Sequence, residues 1–166
     1  MKQAKSIPEK ILSFDALRLA VHRWKFLGKK IVFTNGVFDL LHEGHIFSLS
    51  EAAACGDILI VGVNSDASVK RLKGPGRPVN NEDARSLLLA SLAVTDAVTI
   101  FNADTPIDVI KMILPDVLVK GGDYTVDKIA GAKEVIDNGG TVKLIELVEG
   151  VSTTAIISKI AHKNDP

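Results

Sequence analysis

Five short apolar blocks recur along the chain: KIVFT (30–34), DILIVGV (57–63), AVTIF (97–101), DVLVK (116–120) and TVKLIEL (141–147). Each is rich in β-branched residues and nearly continuous in its apolarity. A strand with one wet face alternates apolar and polar residues. These blocks do not, so they read as strands buried on both faces. Between them the period changes to that of a helix. Ile46, Leu49, Ala52 and Ala53 fall on one face, as do Leu88, Leu89 and Leu92, and then Ile110, Ile113 and Leu114. Residues 126–140, VDKIAGAKEVIDNGG, read as one helix stopped by Gly139 and Gly140. A last helix is expected from near Ser152 to about His162. Strands alternating with helices predict an α/β fold with a parallel sheet covered on both faces.

A helix over roughly 13–27 precedes the first strand block. Residues 1–28 read as an N-terminal helical extension and 29–166 as a single domain, with no linker and no internal repeat. Lys plus Arg and Asp plus Glu number 20 each, so net charge draws the chain neither to nucleic acid nor to an anionic membrane. Aromatic residues make up only 5%, and the basic residues form no aromatic-interleaved stripe, which argues against nucleic acid as a partner. The lone Cys55 excludes an internal disulfide. No stretch approaches the ~18 continuous apolar residues of a membrane-spanning helix, and the basic start MKQAKSIPEK has no apolar core behind it. A cytoplasmic location is the default expectation.

The chemistry concentrates in GVFDLLHEGH (36–45), just past the first strand block. In open α/β sheets, ligands bind beyond the carboxyl ends of the strands. Gly36 permits backbone angles that other residues avoid. A helix starting near His42 to Gly44 would turn its free N–H groups toward that crevice, a ready anion site. His42 and His45, three apart, share a helix face and can address one ligand. Gly44 between them leaves room for a base or phosphate. Zinc proteases space their two histidines by four around a glutamate; here the spacing is three and His22 and His162 lie near the chain ends, so a transition-metal site is disfavoured. Neither a Walker loop nor a GxGxxG fingerprint is present, which leaves the histidines to bind phosphate.

The segment GVFDLLHEGH resembles the HxGH signature of the nucleotidyltransferase superfamily, and GVSTTAI (150–156) resembles the ISTT signature of its cytidylyltransferase-like branch. Together with VNSDASVKRLKGPGRPVN and ILPDVLVKGGDY, they make the chain from about Lys29 to Ile160 similar to the adenylyltransferase domain of the D-glycero-β-D-manno-heptose 1-phosphate adenylyltransferases. In bifunctional relatives that domain follows a sugar kinase; this chain looks like the stand-alone form.

The resemblance implies a Rossmann-like three-layer α/β/α sandwich on a five-stranded parallel sheet. It implies transfer of AMP from ATP, with Mg²⁺ bound mainly through the triphosphate, to a sugar 1-phosphate. By that resemblance His42, His45 and Lys73 are catalytic. Thr34, Asn35, Gly36, Val37, Phe38, Gly44, Arg77, Arg85, Ser152, Thr153 and Thr154 bind the nucleotide. Asp39, Lys120, Gly121, Gly122 and Asp123 hold the acceptor. For Arg85 a surface role, and for Asp39 a purely structural turn role, remain open. The glycine- and proline-rich stretch 73–83 is expected to be a loop carrying Lys73 and Arg77, with Lys73 to Pro78 mobile until nucleotide arrives. Lys70 and Arg71 read as solvated. CTP-using relatives often carry a basic residue where this chain has Leu147, which favours ATP over CTP. The expected partners are ATP and a sugar phosphate, with no nucleic acid and no membrane; a homodimer is left open.

Overall fold

The computed structural model describes residues 6–122, 125–146, 150 and 152–161. Its five strands are β1 (Ile31–Gly36), β2 (Ile58–Asn64), β3 (Ala97–Phe101), β4 (Val117–Gly121) and β5 (Thr141–Ile145). All pair in parallel in the order β3-β2-β1-β4-β5. Leu147 lies outside the described residues.

The doubly apolar strands explain the layering. Residues alternate sides along a strand, so Ile31 and Phe33 of β1 face one layer and Val32 the other. The first layer consists of α1 (Phe14–Phe26), α5 (Ile107–Ile113) and α6 (Ala132–Asp137), which contribute Leu17, Val21, Ile110, Ile113 and Val135 to the core. On the other face lie α2 (Glu43–Ala53) and α4 (Glu82–Ser91), through Leu49, Ala52, Leu89 and Ala90. The remaining helices are α3 (Asp66–Lys73) and α7 (Thr153–Ala161).

Three expectations need correction. The N-terminal helix is not an appendage. Leu17 and Val21 are 0% and 2% exposed in the same cluster as Ile31 and Phe33, and the Leu12 N–H donates to the Val98 carbonyl at 2.8 Å. The boundary expected at 28/29 therefore falls inside a shared core. Residues 126–140 do not form one helix. A 3₁₀ turn, Val126–Lys128, is separated from α6 by Gly131 at φ +85. A Cβ at Gly131 would sit 2.5 Å from Ile110 Cδ1, so the position excludes a side chain by space as well as by angle. The phase of α4 also differs. Leu88 is exposed, and the buried face carries Arg85, Ser86, Leu89 and Ala90.

The sheet opens at one place. β1 is paired to β2 over all six of its residues, but to β4 only at Val32 and Phe33. Beyond Phe33 the carboxyl ends of β1 and β4 diverge. The chain order reverses between these strands, which is where α/β sheets place their ligands.

Candidate active site

His42 is the N-cap residue of α2, and His45 lies in that helix's first turn. Their rings stack with centroids 3.8 Å apart, and Phe38 meets His45 edge-on at 5.3 Å. Both Nδ1 atoms are buried with no hydrogen-bond partner from the protein. Burial lowers the pKa of each imidazole. At His45 the neighbouring His42 adds to the effect, the Leu40 carbonyl partly offsets it, and the value is held at about 4. At neutral pH both rings are uncharged, and each keeps one N–H to donate.

The turn leading to them is unusual. Phe38 takes φ +50, a left-handed conformation that is costly for a bulky residue. Gly36, expected to supply that freedom, does not lie in the positive-φ region; a Cβ there would come within 3.1 Å of the Phe38 ring. Glycine at 36 makes room for the strained phenylalanine.

A cavity of about 280 Å³ opens beside the histidines, lined by Val37, Phe38, Asp39, His45, Lys73, Arg77, Thr153 and Thr154. Two segments over a hundred residues apart in sequence thus meet at one cleft. The Ser152 hydroxyl accepts from the Ala155 N–H at 3.1 Å and starts α7. Lys73 is the last residue of α3 rather than a loop residue. Thr34 is buried within β1 and Gly44 lies in the first turn of α2.

Two expected ligand residues are already engaged by the protein. Arg85 is 0% exposed. Its guanidinium donates to the carbonyls of Asn80 (3.0 Å), Val37 (2.6 Å) and Asn64 (2.8 Å) and to Asp66 Oδ1 (2.7 Å). It is neither a phosphate ligand nor a surface residue; it ties the signature turn to the end of β2 and the loop before α4. Asp39 is 1% exposed and accepts from Arg77 Nε (2.6 Å), Val79 N–H (2.8 Å) and Asn80 N–H (2.9 Å). Burial alone would raise its pKa, but the Asn80 and Val79 amides and the Arg77 guanidinium outweigh it and hold the carboxylate below its ordinary value. Asp39 therefore anchors the loop and aims Arg77, and is not free to hold an acceptor. That clamp fixes residues 77–80 against the signature turn, so the loop's distal half is bound without any phosphate.

A second cavity, about 320 Å³, lies where β1 and β4 part. It is lined by Asn35, Gly36, Val37 and Lys120, among others. Lys120 Nζ donates to Asn35 Oδ1 at 2.9 Å, and burial lowers the lysine's pKa. Among the described residues Lys120 makes no ion pair. Val37 lines both cavities and forms the seam between them. Gly121 ends β4, and Gly122, at φ +113, donates its N–H to the Ile145 carbonyl at 3.1 Å. Asp123 lies outside the described residues. The sequence reading missed Asn64, Asp104, Thr105 and Lys128, which also line this cavity. Asn64 was findable, because it ends β2 just as Asn35 nears the end of β1.

Residues 33–159 match the family described as cytidylyltransferase-like, a span that contains both histidines, Lys120 and the STT segment. The chain belongs to that family. It is 54% identical over 154 residues to the bifunctional protein HldE of Shewanella amazonensis, covering 93% of this chain and 32% of that one. The HldE of Wolinella succinogenes is 51% identical over 92% of this chain and 31% of its own. The chain thus spans about a third of the length of these curated relatives. Among solved structures, a lipopolysaccharide core biosynthesis protein from Thermoplasma volcanium is 31% identical with TM-score 0.58, over 73% of this chain and 98% of that one. Pantoate–beta-alanine ligase from Francisella tularensis, at 14% identity and TM-score 0.59, shares the fold. The chain's five-stranded parallel sheet with its flanking helices is a Rossmann-like α/β fold. No helix among the described residues is long and apolar enough to cross a membrane.

Proposed function

We propose that this chain transfers AMP from ATP to a sugar 1-phosphate, D-glycero-β-D-manno-heptose 1-phosphate, giving ADP-heptose and pyrophosphate. The observation that carries the reading is the pair of cavities meeting at Val37. One is lined by the basic and hydroxyl side chains of Lys73, Arg77, Thr153 and Thr154 beside His45, and the other holds a half-buried lysine that makes no ion pair among the described residues. The family match and the likeness to HldE support the reaction class, and the KGGDY segment supports the acceptor.

In the reaction, an oxygen of the acceptor phosphate forms a bond to the α-phosphorus of the triphosphate. The bond from that phosphorus to the bridging oxygen breaks, and pyrophosphate leaves with its electron pair. The nucleophile is already an anion, so no strong base is required, and catalysis rests on position and charge. Neutral His42 and His45 donate N–H groups to the phosphate oxygens as charge develops on them. Lys73 and Arg77 stabilise the departing pyrophosphate, with Arg77 held in aim by Asp39. Thr153 and Thr154 add the free N–H groups at the start of α7. Mg²⁺ neutralises triphosphate charge when bound. Among the described residues no three His, Cys, Asp or Glu side chains gather into a metal site, and the Asp39 carboxylate is occupied. The ion would be held mainly through the nucleotide's own phosphates.

The test is pyrophosphate release by the purified chain, with ATP or CTP paired against a panel of sugar and polyol phosphates. ATP with the heptose 1-phosphate is expected to be the fastest pair. Faster turnover of CTP with glycerol 3-phosphate would replace this reading with a polyol-phosphate cytidylyltransferase.

A further inference from the structure

The loop after β3 is held by a ladder. Ser65, Ser68 and Arg71 recur every third residue along one side of α3 and its N-cap, and each reaches one successive residue of that loop. Ser65 Oγ donates to Asn102 Oδ1 at 2.7 Å, Ser68 Oγ to the Ala103 carbonyl at 3.1 Å, and Arg71 Nε to Asp104 Oδ1 at 2.7 Å. Arg71 also donates through a second nitrogen to the Asn102 carbonyl. Asn64, at the end of β2, donates its amide to Ser68 Oγ at 3.0 Å and extends the ladder into the sheet. Arg71 is solvent-exposed, as its sequence context suggests, and is tied to the loop all the same.

This bracing is more than an exposed loop needs for its own sake. Residues 102–105 are exposed and bury no apolar side chain, so packing does not account for four side-chain bonds to them. What the ladder fixes is the position of Asp104 and Thr105 on the wall of the 320 Å³ cavity that Lys120 also lines. Arg71 occupies Asp104 Oδ1, and Oδ2 has no partner among the bonds found. The cavity is near the lower end of the range for small-molecule sites, about 300–1,000 Å³, and its polar groups are of two kinds. Lys120 and Lys128 suit an anion. Asp104, Thr105, Asn35 and Asn64 suit hydroxyl groups.

We propose that the β3–α5 loop is the sugar-reading wall of the acceptor site. In this arrangement Lys120 takes the acceptor phosphate, while Asp104 Oδ2 and the Thr105 hydroxyl bind ring or side-chain hydroxyls. Arg71 is a positioning residue that holds Asp104 in place. The inference rests on the nucleotidyltransferase reading and adds to it the side chains that read the acceptor's hydroxyl groups. The order of the groups follows from the chemistry. The acceptor phosphate must cross the Val37 seam to reach the nucleotide, so the hydroxylated end points away from it, toward the loop. A carboxylate accepts hydrogen bonds from hydroxyls strongly and disfavours a second phosphate, so Asp104 selects for the sugar end.

The experiment is calorimetric titration of the full chain, loaded with a non-hydrolysable ATP analogue, with D-glycero-β-D-manno-heptose 1-phosphate and separately with inorganic phosphate. Wild type is compared with Asp104→Asn, Thr105→Val and Arg71→Lys. Asp104→Asn is expected to weaken heptose phosphate binding roughly ten- to a hundredfold, with binding of inorganic phosphate and of the ATP analogue unchanged. Thr105→Val should weaken it less, and Arg71→Lys by a fraction of the Asp104→Asn effect. Equal heptose phosphate affinity in wild type and Asp104→Asn would overturn the wall assignment and leave the reaction class standing. Parallel losses for heptose phosphate and inorganic phosphate would also overturn it, by making the loop a structural support. Wild type that binds the ATP analogue but no sugar phosphate would instead remove the acceptor reading, and this inference with it.

Discussion

Replacing Arg85 separates a ligand role from a structural one. Arg85→Met keeps most of the side-chain volume and removes every donor. Four acceptors then lose a partner: the carbonyls of Val37, Asn64 and Asn80, and Asp66 Oδ1. A buried acceptor left unpaired costs about 1–3 kcal/mol. The bond to Asn64 is buried at both ends, whereas Asp66 is 29% exposed and can be rehydrated. We therefore expect a loss near the lower part of the range for breaking a buried charged network, about 3–4 kcal/mol. Domains of this kind are stable by roughly 5–15 kcal/mol, so the variant should still fold at room temperature.

Urea unfolding reads the effect directly. The single tryptophan, Trp24, sits on α1 in the layer across the sheet from α4. A shift in its midpoint reports loss of the whole fold rather than fraying near the substitution. The midpoint should fall by about 1–2 M with the slope unchanged. Arg85→Lys should fare nearly as badly, because one ammonium cannot span acceptors contributed by residues 37, 64, 66 and 80. The reasoning fails if Arg85→Met costs less than about 1 kcal/mol. It also fails if Arg85→Lys unfolds like wild type while its KM for ATP rises, since that pattern belongs to a phosphate ligand.

Further outcomes follow from the same geometry. His45→Ala should lower kcat about a hundred- to a thousandfold with the fold intact, and His22→Ala on the exposed side of α1 should do little; equal losses would move the site. The folded-state pKa of His45 is depressed to about 4 against 6.5, so between these values the unfolded chain binds more protons. Stability from this group is complete above pH 6.5 and is lost as pH falls toward 4. Urea midpoints at pH 7 and pH 5 should therefore differ less in His45→Asn than in wild type. Gly131→Ala should destabilise by about 2–4 kcal/mol, combining left-handed strain with the clash on Ile110, as thermal unfolding would show. Lys120→Ala should raise KM for the acceptor more than KM for ATP in initial-rate assays, and the reverse would put Lys120 on the nucleotide side.

What the sequence shows and hides here has a physical pattern. Burial on both faces writes itself as a continuous apolar run, so β1 to β4 were legible; β5 was also found as a strand, but it lies at the sheet edge with Thr141, Lys143 and Leu144 exposed, not buried on both faces as expected. The histidine pair was legible because a local spacing on a helix start carries its chemistry. Arg85 was not, because arginine on a helix reads as solvent-facing unless its partners are known, and those partners come from three separate stretches of the chain. The same blindness hid the Ser65, Ser68 and Arg71 ladder, whose partners lie over thirty residues away. Residues 126–140 misled because apolar spacing continues across Gly131, while only the packing of Ile110 shows why the backbone must turn there.

The lysine in the opened sheet joins these observations. Had β1 and β4 stayed paired along their length, Lys120 and Asn35 would sit in a closed ladder with no space between their side chains. Pairing stops at Phe33, and the two polar ends face each other across the gap at 2.9 Å. A neutral amide satisfies one N–H of the ammonium but none of its charge, so burial pulls the lysine's pKa down. An arriving phosphate would reverse that direction by supplying the missing negative charge. On the proposed reading, the cost of holding Lys120 half-desolvated would be returned only when an anion binds, and the binding energy would be released beside the seam at Val37, where the acceptor oxygen would meet the nucleotide.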